Sequence, residues 1–204
     1  MKRKVISMIL AVTIVSAAFG QEKRYSIESA IVKKNTVMKV QGMEQTLQSV
    51  QYFADYGNKE SVEAIMNVQG QSFTIFSMMK DGYIYSVNMA MGQGTKINLA
   101  AMDDYKNVNF LALTDEVRQK YQIRANGIEQ VIGKPCNRYE MSFTTQGQNI
   151  TATVWVWQGL TLKSRMTMAG TSAEEEATEI QEGATIAKDK FELPEGINFM
   201  EIKP

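Results

Sequence analysis

The sequence has 204 residues, with 22 Lys and Arg against 22 Asp and Glu, one cysteine and no histidine. The absence of histidine excludes histidine-based catalytic triads, acid–base histidines and histidine metal sites, which are the commonest designs. We therefore expect a protein that is not an enzyme and that holds no metal and no cofactor.

The first residues have the pattern of a secretory signal peptide. A basic start at residues 2–4 precedes an apolar run over residues 5–15 and small residues that end at Gly20. The apolar run is too short to span a bilayer, and cleavage after Gly20 is predicted. Residues 1–20 are thus the signal peptide. Residues 21–204 are expected to form a single periplasmic or secreted domain without a transmembrane segment.

Removal of the signal peptide takes away three basic residues and leaves 19 Lys and Arg against 22 Asp and Glu. A mature surface with this balance repels phosphate backbones, so no nucleic acid partner is expected.

Cys136 is the single cysteine and cannot form an internal disulfide. We expect it to be a small buried residue near the start of a strand rather than a reactive thiol.

Alternating apolar and polar residues, broken by glycine turns, predict antiparallel strands over most of the mature chain. About a dozen strands are expected, and a sheet of that size has to curl or close. The predicted strands cover residues 25–32, 36–41, 45–55, 61–68, 72–79, 83–89, 95–99, 128–132, 137–144, 149–157, 160–168 and 174–180.

Residues 100–124 interrupt the strands and contain the predicted helix. Thr114 is placed as its N-cap, Asp115 and Glu116 lie in the first turn, and Lys120 lies in the last turn, which suits the helix dipole. A second helix is considered near residues 100–105.

The turn at Gln158-Gly159 predicts a two-residue hairpin loop. This register places the two tryptophans on one face with apolar residues of the next strand. The predicted pairs are Trp157 with Leu160, Trp155 with Leu162 and Thr151 with Met166.

The turn near Gly147 allows two registers, and a slip of one residue moves every side chain to the other face. A two-residue loop places Tyr139, Met141 and Phe143 away from the tryptophans, whereas a loop of residues 146–148 places them on the same face. We choose the three-residue loop because it gathers the large apolar groups together.

The turn at Asp81-Gly82 predicts a second hairpin with one apolar face, formed by Phe76, Met78, Tyr83, Tyr85, Val87 and Met89. A continuous methionine- and aromatic-rich face is therefore expected. Its candidate ligand-binding residues are Phe76, Met78, Tyr85, Val87, Met89, Tyr139, Met141, Phe143, Trp155, Trp157, Leu162 and Met166.

The chain combines the exported start, the strand meander with a helical insertion, the late segment "IGKPCNRYEM" followed by "ITATVWVWQGLTLKSRMTM", and the closing "FELPEGI". In these features it resembles the LolA/LolB-like periplasmic lipoprotein carriers. The resemblance implies a mainly β (α+β) fold: a strongly curved antiparallel half-barrel of about 11 strands, with one or two helices inserted midway as a lid. It also implies a concave apolar face that accepts acyl chains.

Two functions are compatible with these features. The first is binding of an apolar or acyl-chain ligand, a lipid or an acylated protein, in the concave face with residues 100–124 as lid. Methionines suit such a face because they repack around varied guests. The alternative is an envelope protein-interaction or stress-sensor module with a filled core. Copper(I) binding by Met78, Met79, Met89 and Met91 is disfavoured because no histidine or cysteine joins the thioethers.

The signal-peptide interpretation predicts that the protein isolated from its native envelope begins at or near Gln21, because the signal peptidase cuts after the small residues. N-terminal sequencing or intact mass checks this expectation. Recovery of an intact Met1 terminus would contradict export by this route.

Overall fold

The computed structural model describes residues 23–40, 42–68, 71–98, 108–145 and 147–202. The predicted signal peptide and the possible helix near residues 100–105 lie outside these ranges. Among the described residues, no helix has the length and apolar character needed to cross a membrane.

Twelve strands form one sheet. Their bounds are β1 Ala30–Val40, β2 Met43–Ala54, β3 Lys59–Val68, β4 Gln71–Lys80, β5 Tyr83–Asn88, β6 Gln93–Asn98, β7 Arg124–Val131, β8 Lys134–Thr145, β9 Gln148–Trp157, β10 Leu160–Met168, β11 Thr171–Glu182 and β12 Asn198–Ile202. The spatial order is β12-β6-β5-β4-β3-β2-β1-β11-β10-β9-β8-β7. The sheet curves without closing, since β12 and β7 are its two edges, and the predicted mainly β open half-barrel is confirmed.

One helix, α1, spans Asp115–Lys120. The backbone N–H of Val117 donates to Thr114 Oγ1 at 3.3 Å, which confirms the predicted N-cap. Two short 3-10 turns occupy Asp55–Gly57 and Lys188–Phe191.

The strand predictions are wrong in two places, at β1 in the centre of the sheet and at β12 on its edge. Residues 25–32 and 36–41 do not form separate strands, because the polar stretch between them stays paired: Lys33 lies opposite Glu179 and Lys34 opposite Ala177. Strand β12 was not predicted. It pairs in parallel with β6, where a Cβ on Gly94 would lie 2.6 Å from the Phe199 ring.

The hairpin turns are confirmed at both predicted sites. Lys80 pairs with Tyr83 across Asp81-Gly82, and Trp157 pairs with Leu160 across Gln158-Gly159. The φ angles of Gln158 and Gly159 are 50° and 85°, as a two-residue loop of this kind requires.

A β-bulge makes the rest of the predicted pairing between β9 and β10 wrong. The pairing shifts between Thr161 and Lys163, so Trp155 lies opposite Lys163 instead of Leu162, and Met166 lies opposite Ala152 instead of Thr151. A bulge adds one residue to one strand, and the sequence pattern did not reveal it.

The three-residue loop near Gly147 is also wrong. Thr145 pairs with Gln148 and Tyr139 pairs with Val154. The two-residue alternative is therefore the observed one, and it places Tyr139, Met141 and Phe143 on the face opposite Trp155.

The segment before β1 is attached to the sheet by a buried polar cluster. Arg24 forms an ion pair with Glu60 at 2.8 Å, and the two side chains are only 5% and 3% exposed. The Tyr25 hydroxyl donates to Glu60 at 3.0 Å, and Gln51 donates to the same carboxylate at 2.8 Å. Burial raises the pKa of the Tyr25 phenol above its ordinary value, and the Glu60 carboxylate raises it further.

Glu60→Gln should destabilise the protein by about 3–5 kcal/mol, because it leaves the buried Arg24 guanidinium without its counter-charge. Urea unfolding followed by circular dichroism measures the change. The matched control is Glu179→Gln, which removes a cross-strand ion pair with Lys33 whose side chains are 50% and 43% exposed. The control should leave the urea midpoint nearly unchanged. Equal effects of the two substitutions would refute a special role for the buried cluster.

Candidate ligand-binding face

One face of the sheet can be followed through directly opposed residues, whose side chains share a side of the sheet. We call it the Val154 face and the opposite side the Trp155 face. The central row of the Val154 face crosses eight strands, in the order Tyr139, Val154, Ser164, Glu175, Thr36, Leu47, Met66 and Phe73.

Two further apolar rows lie between this row and the end of the sheet that carries the turn at Gly147. They are Met141, Ala152, Met166, Ala173, Met38 and Gln45, followed by Phe143, Ile150, Met168, Thr171, Val40 and Met43. Met38 and Ile150 are buried, whereas Met141, Phe143 and Met166 are only partly buried. The Val154 face thus presents a broad apolar surface that the chain's own side chains cover incompletely.

A polar group interrupts the middle of the central row. Lys34 Nζ lies 3.0 Å from Glu175 Oε1, and these side chains are 10% and 16% exposed. The fully buried Thr36 hydroxyl donates to the other Glu175 oxygen at 3.5 Å. The charges are paired with each other, so the row remains compatible with an apolar guest.

The segment 108–123 contacts the Val154 face through the residues on either side of α1. Phe110 lies 5.2 Å from the Tyr139 ring, and Tyr121 meets the Phe143 ring edge-on at 5.4 Å. The Ser142 N–H donates to the Tyr121 carbonyl at 2.9 Å. The helix itself contributes no buried residue. The predicted lid region is therefore held at its flanks, over the face that the tryptophans do not share.

Trp155 is 4% exposed and lies beneath charged side chains. Arg138, Lys163 and Arg165 approach its ring centroid within 5.7, 5.6 and 5.6 Å, and its indole N–H donates to Glu129 at 2.9 Å. Cations over an aromatic ring stabilise such packing. Trp155 therefore belongs to the buried core, and basic side chains cover its outer side.

Trp157 and Leu162 belong to a buried core cluster with Leu160, Cys136 and Phe53. Lys134 Nζ lies 4.7 Å from the Trp157 ring centroid on the outside. Both tryptophans thus lie in a filled core with basic side chains over their rings.

The other predicted site residues lie under the C-terminal segment. Phe76, Met78 and Val87 are buried against Leu193, Ile197 and Phe199, and Tyr85 packs edge-on with Phe199 at 5.0 Å. Met89 lies in the turn after β5 and is 47% exposed. The row of opposed residues that starts at Trp155 continues through Lys163, Glu176, Asn35, Gln48, Ile65 and Thr74. Mostly polar residues therefore separate the tryptophans from the apolar group around Phe76.

The structure therefore divides the predicted site. Tyr139, Met141, Phe143 and Met166 lie together on the Val154 face, and the other eight predicted residues lie elsewhere. The prediction missed Met38, Leu47 and Met66 on the Val154 face. Their alternation with polar neighbours marked them as one side of a strand, but nothing local showed which distant strand they would face.

An open groove of about 380 Å³ lies where β8, β9 and β10 adjoin the end of the lid segment. Hydroxyl and charged side chains dominate its lining, among them Arg124, Glu140, Thr153 and Arg165. This groove suits a polar group rather than an acyl chain.

The described residues contain no cluster of three or more His, Cys, Asp or Glu side chains suited to a metal ion. The methionines considered for copper(I) are separated, because Met78 pairs with Tyr85 and its neighbour Met79 points to the other face opposite Ile84.

No protein-family model and no curated protein matches the chain. Solved structures do match. An uncharacterized conserved protein from Thermus thermophilus has a TM-score of 0.52 at 8% identity, over 89% of this chain and 95% of that one. A putative outer membrane lipoprotein-sorting protein domain from Vibrio parahaemolyticus has a TM-score of 0.41 at 11% identity, over 84% and 92%.

The Pseudomonas aeruginosa MucA/MucB complex matches with a TM-score of 0.47 at 16% identity, over 85% of this chain. This chain spans 58% of the matched chain there and 53% in a second complex of MucB with MucA. The LolA-like resemblance is confirmed as a likeness of fold.

Cys136 is fully buried, as expected, and burial raises the pKa of its thiol to about 11. At pH 8 only about one thiol in a thousand is then ionised, and the thiolate is the reactive form. Ellman's reagent should therefore label the folded protein far more slowly than the urea-unfolded protein. Rapid labelling of the folded state at pH 8 would show that this end of the core opens.

Proposed function

We propose that this chain is an exported carrier that binds an apolar ligand with an acyl chain on its Val154 face, beneath the segment 108–123. The observation that carries the proposal is the pair of adjoining apolar rows beside the central row, in which Met141, Phe143 and Met166 stay partly exposed. The proposal keeps Tyr139, Met141, Phe143 and Met166 from the predicted site and adds their opposed neighbours. A ligand role for the remaining predicted residues stays a prediction.

The energetics favour an acyl chain on such a surface. Burial of a methylene contributes about 0.8 kcal/mol, so a ~14-carbon chain contributes on the order of 10 kcal/mol before the entropic costs of ordering are subtracted. Since Lys34 and Glu175 neutralise each other, no charged head group is required for affinity. Flexible methionines on β1, β8 and β10 allow the face to repack around chains of different shape.

The lid segment suits reversible binding. Its contacts with the sheet include two aromatic pairs and one backbone hydrogen bond. The helix α1 buries none of its side chains, whereas Tyr121 and Ile123 at the end of the segment are buried. Residues 108–120, none of which is fully buried, can therefore open at a small free-energy cost while Tyr121 and Ile123 stay in place. The ligand would enter and leave by displacement of Phe110 and α1 rather than by unfolding of the sheet.

A second candidate function is protein contact at the edge strand β7. Seven of its eight residues are exposed, and Ile128 is 68% exposed. An exposed edge strand can pair with an extended segment of another protein. Protein that purifies from its native envelope without any lipid would favour this function over the carrier.

Met166→Glu should weaken the binding of a fluorescent fatty acid by at least about tenfold, because a buried carboxylate opposes an acyl chain. Thr167→Glu is the matched control: the next residue in the strand points to the Trp155 face and is exposed. It should bind within about twofold of wild type. Fluorescence titration of delipidated, refolded protein measures both, and circular dichroism verifies the fold. The proposal fails if wild-type protein shows no saturable binding at micromolar concentration.

A further inference from the structure

The two ends of the sheet differ in charge. The antiparallel pairing places the turns after β1, β3, β5, β8 and β10 at one end. Charged residues make up 22% of the chain, yet the sequence through these turns, residues 40–43, 67–72, 88–93, 144–149 and 168–171, contains none. The opposite end carries Asp55 and Asp81 in its turns and Lys59, Lys80 and Lys134 at the strand ends beside them.

Exposed methionines project from the uncharged end. Met43 is 59% exposed, Met89 is 47% exposed and Met91 is 60% exposed. The turn that carries Met89 and Met91 is ordered, because the Asn88 side chain accepts hydrogen bonds from the N–H groups of Ala90 and Met91 at 3.1 and 3.2 Å. We call the described residues Val40, Met43, Met89, Met91 and Met168 the methionine rim.

The rim is continuous with the proposed binding face. Val40, Met43 and Met168 belong to the last apolar row of the Val154 face, together with Phe143 and Ile150. Lys39 and Glu44, which flank the β1–β2 turn, are neutralised as a pair at 3.4 Å.

We propose that the methionine rim docks on the apolar boundary of a lipid bilayer and opens the Val154 face toward it. A bilayer strongly disfavours charge below its head groups, and flexible apolar side chains enter that boundary readily. A protein interface surrounds its apolar core with a polar border, whereas the five turns at this end carry no charge, and Lys39 and Glu44 beside the rim neutralise each other. The inference extends the proposed function, since it supplies the surface from which an acyl ligand is taken.

The experiment is flotation of the delipidated mature protein with phosphatidylcholine vesicles in 0.1 and 0.5 M salt. Wild-type protein should float with the vesicles at both salt concentrations, because the contact is apolar. The double substitution Met89→Glu and Met91→Glu should lower the vesicle-bound fraction by about tenfold or more, since two carboxylates would have to enter the boundary. Met200→Glu is the matched control: Met200 is 68% exposed but lies within β12, outside the rim, and its substitution should leave flotation unchanged.

The outcomes separate this inference from the proposed function. Loss of flotation with retained binding of a soluble fluorescent fatty acid in the double variant supports both. Wild-type flotation without any soluble fatty-acid binding supports the rim and refutes the carrier. The inference is overturned if wild-type protein fails to float, if it needs anionic lipid and is released by salt, or if the methionines instead mediate a dimer seen by light scattering.

Discussion

The pairing of Tyr139 with Val154 is the constraint on which the Val154 face depends. Side chains alternate along a strand, so this one pair assigns every residue of β8 and β9 to a side. It brings Tyr139 and Phe143 within reach of Phe110 and Tyr121, the aromatic residues on either side of α1. A shift of one residue would turn Arg138 and Glu140 toward the segment 108–123, which would then lose both aromatic contacts.

The two faces of the sheet use apolar side chains differently. On the Trp155 face, the indole is buried beneath Arg138, Lys163 and Arg165, and the basic groups form ion pairs with Glu129, Glu174 and Glu176. Long basic side chains can cover an aromatic ring while their charges stay in water. On the Val154 face, no comparable set of long charged side chains among the described residues covers Met141, Met166 and Met168, which are partly exposed. The Val154 face therefore leaves apolar surface uncovered, whereas on the Trp155 face the protein's own basic side chains cover the indole.

The two ends of the sheet also differ, in their buried ion pairs and in the charge of their turns. At one end the Arg24–Glu60 ion pair fixes the chain before β1 against β2 and β3, in a site where an unpaired charge would be strongly destabilising. The other end has neither a buried ion pair nor a charged turn among its described residues, and its methionines face outward. In the proposed carrier, the first end stabilises the fold and the second end exchanges the ligand.

Local features were predictable from the sequence because their causes are local. The loops at Asp81-Gly82 and Gln158-Gly159, the Thr114 cap and the burial of Cys136 each depend on a few neighbouring residues, and all are observed. The large curled sheet also followed from the strand pattern, and the family resemblance implied its open half-barrel form. The side that each strand presents did not, because it depends on partners far away in the chain. Lys34 stays within β1 because Glu175, 141 residues later, neutralises it, and β12 forms because Phe199 fits over Gly94. The bulge near Leu162 and the two-residue turn at Gly147 each change the parity of a strand by one residue. Alternation in sequence determined that one side of each strand would be apolar, and only the long-range pairing of the folded sheet decided which of those sides would meet.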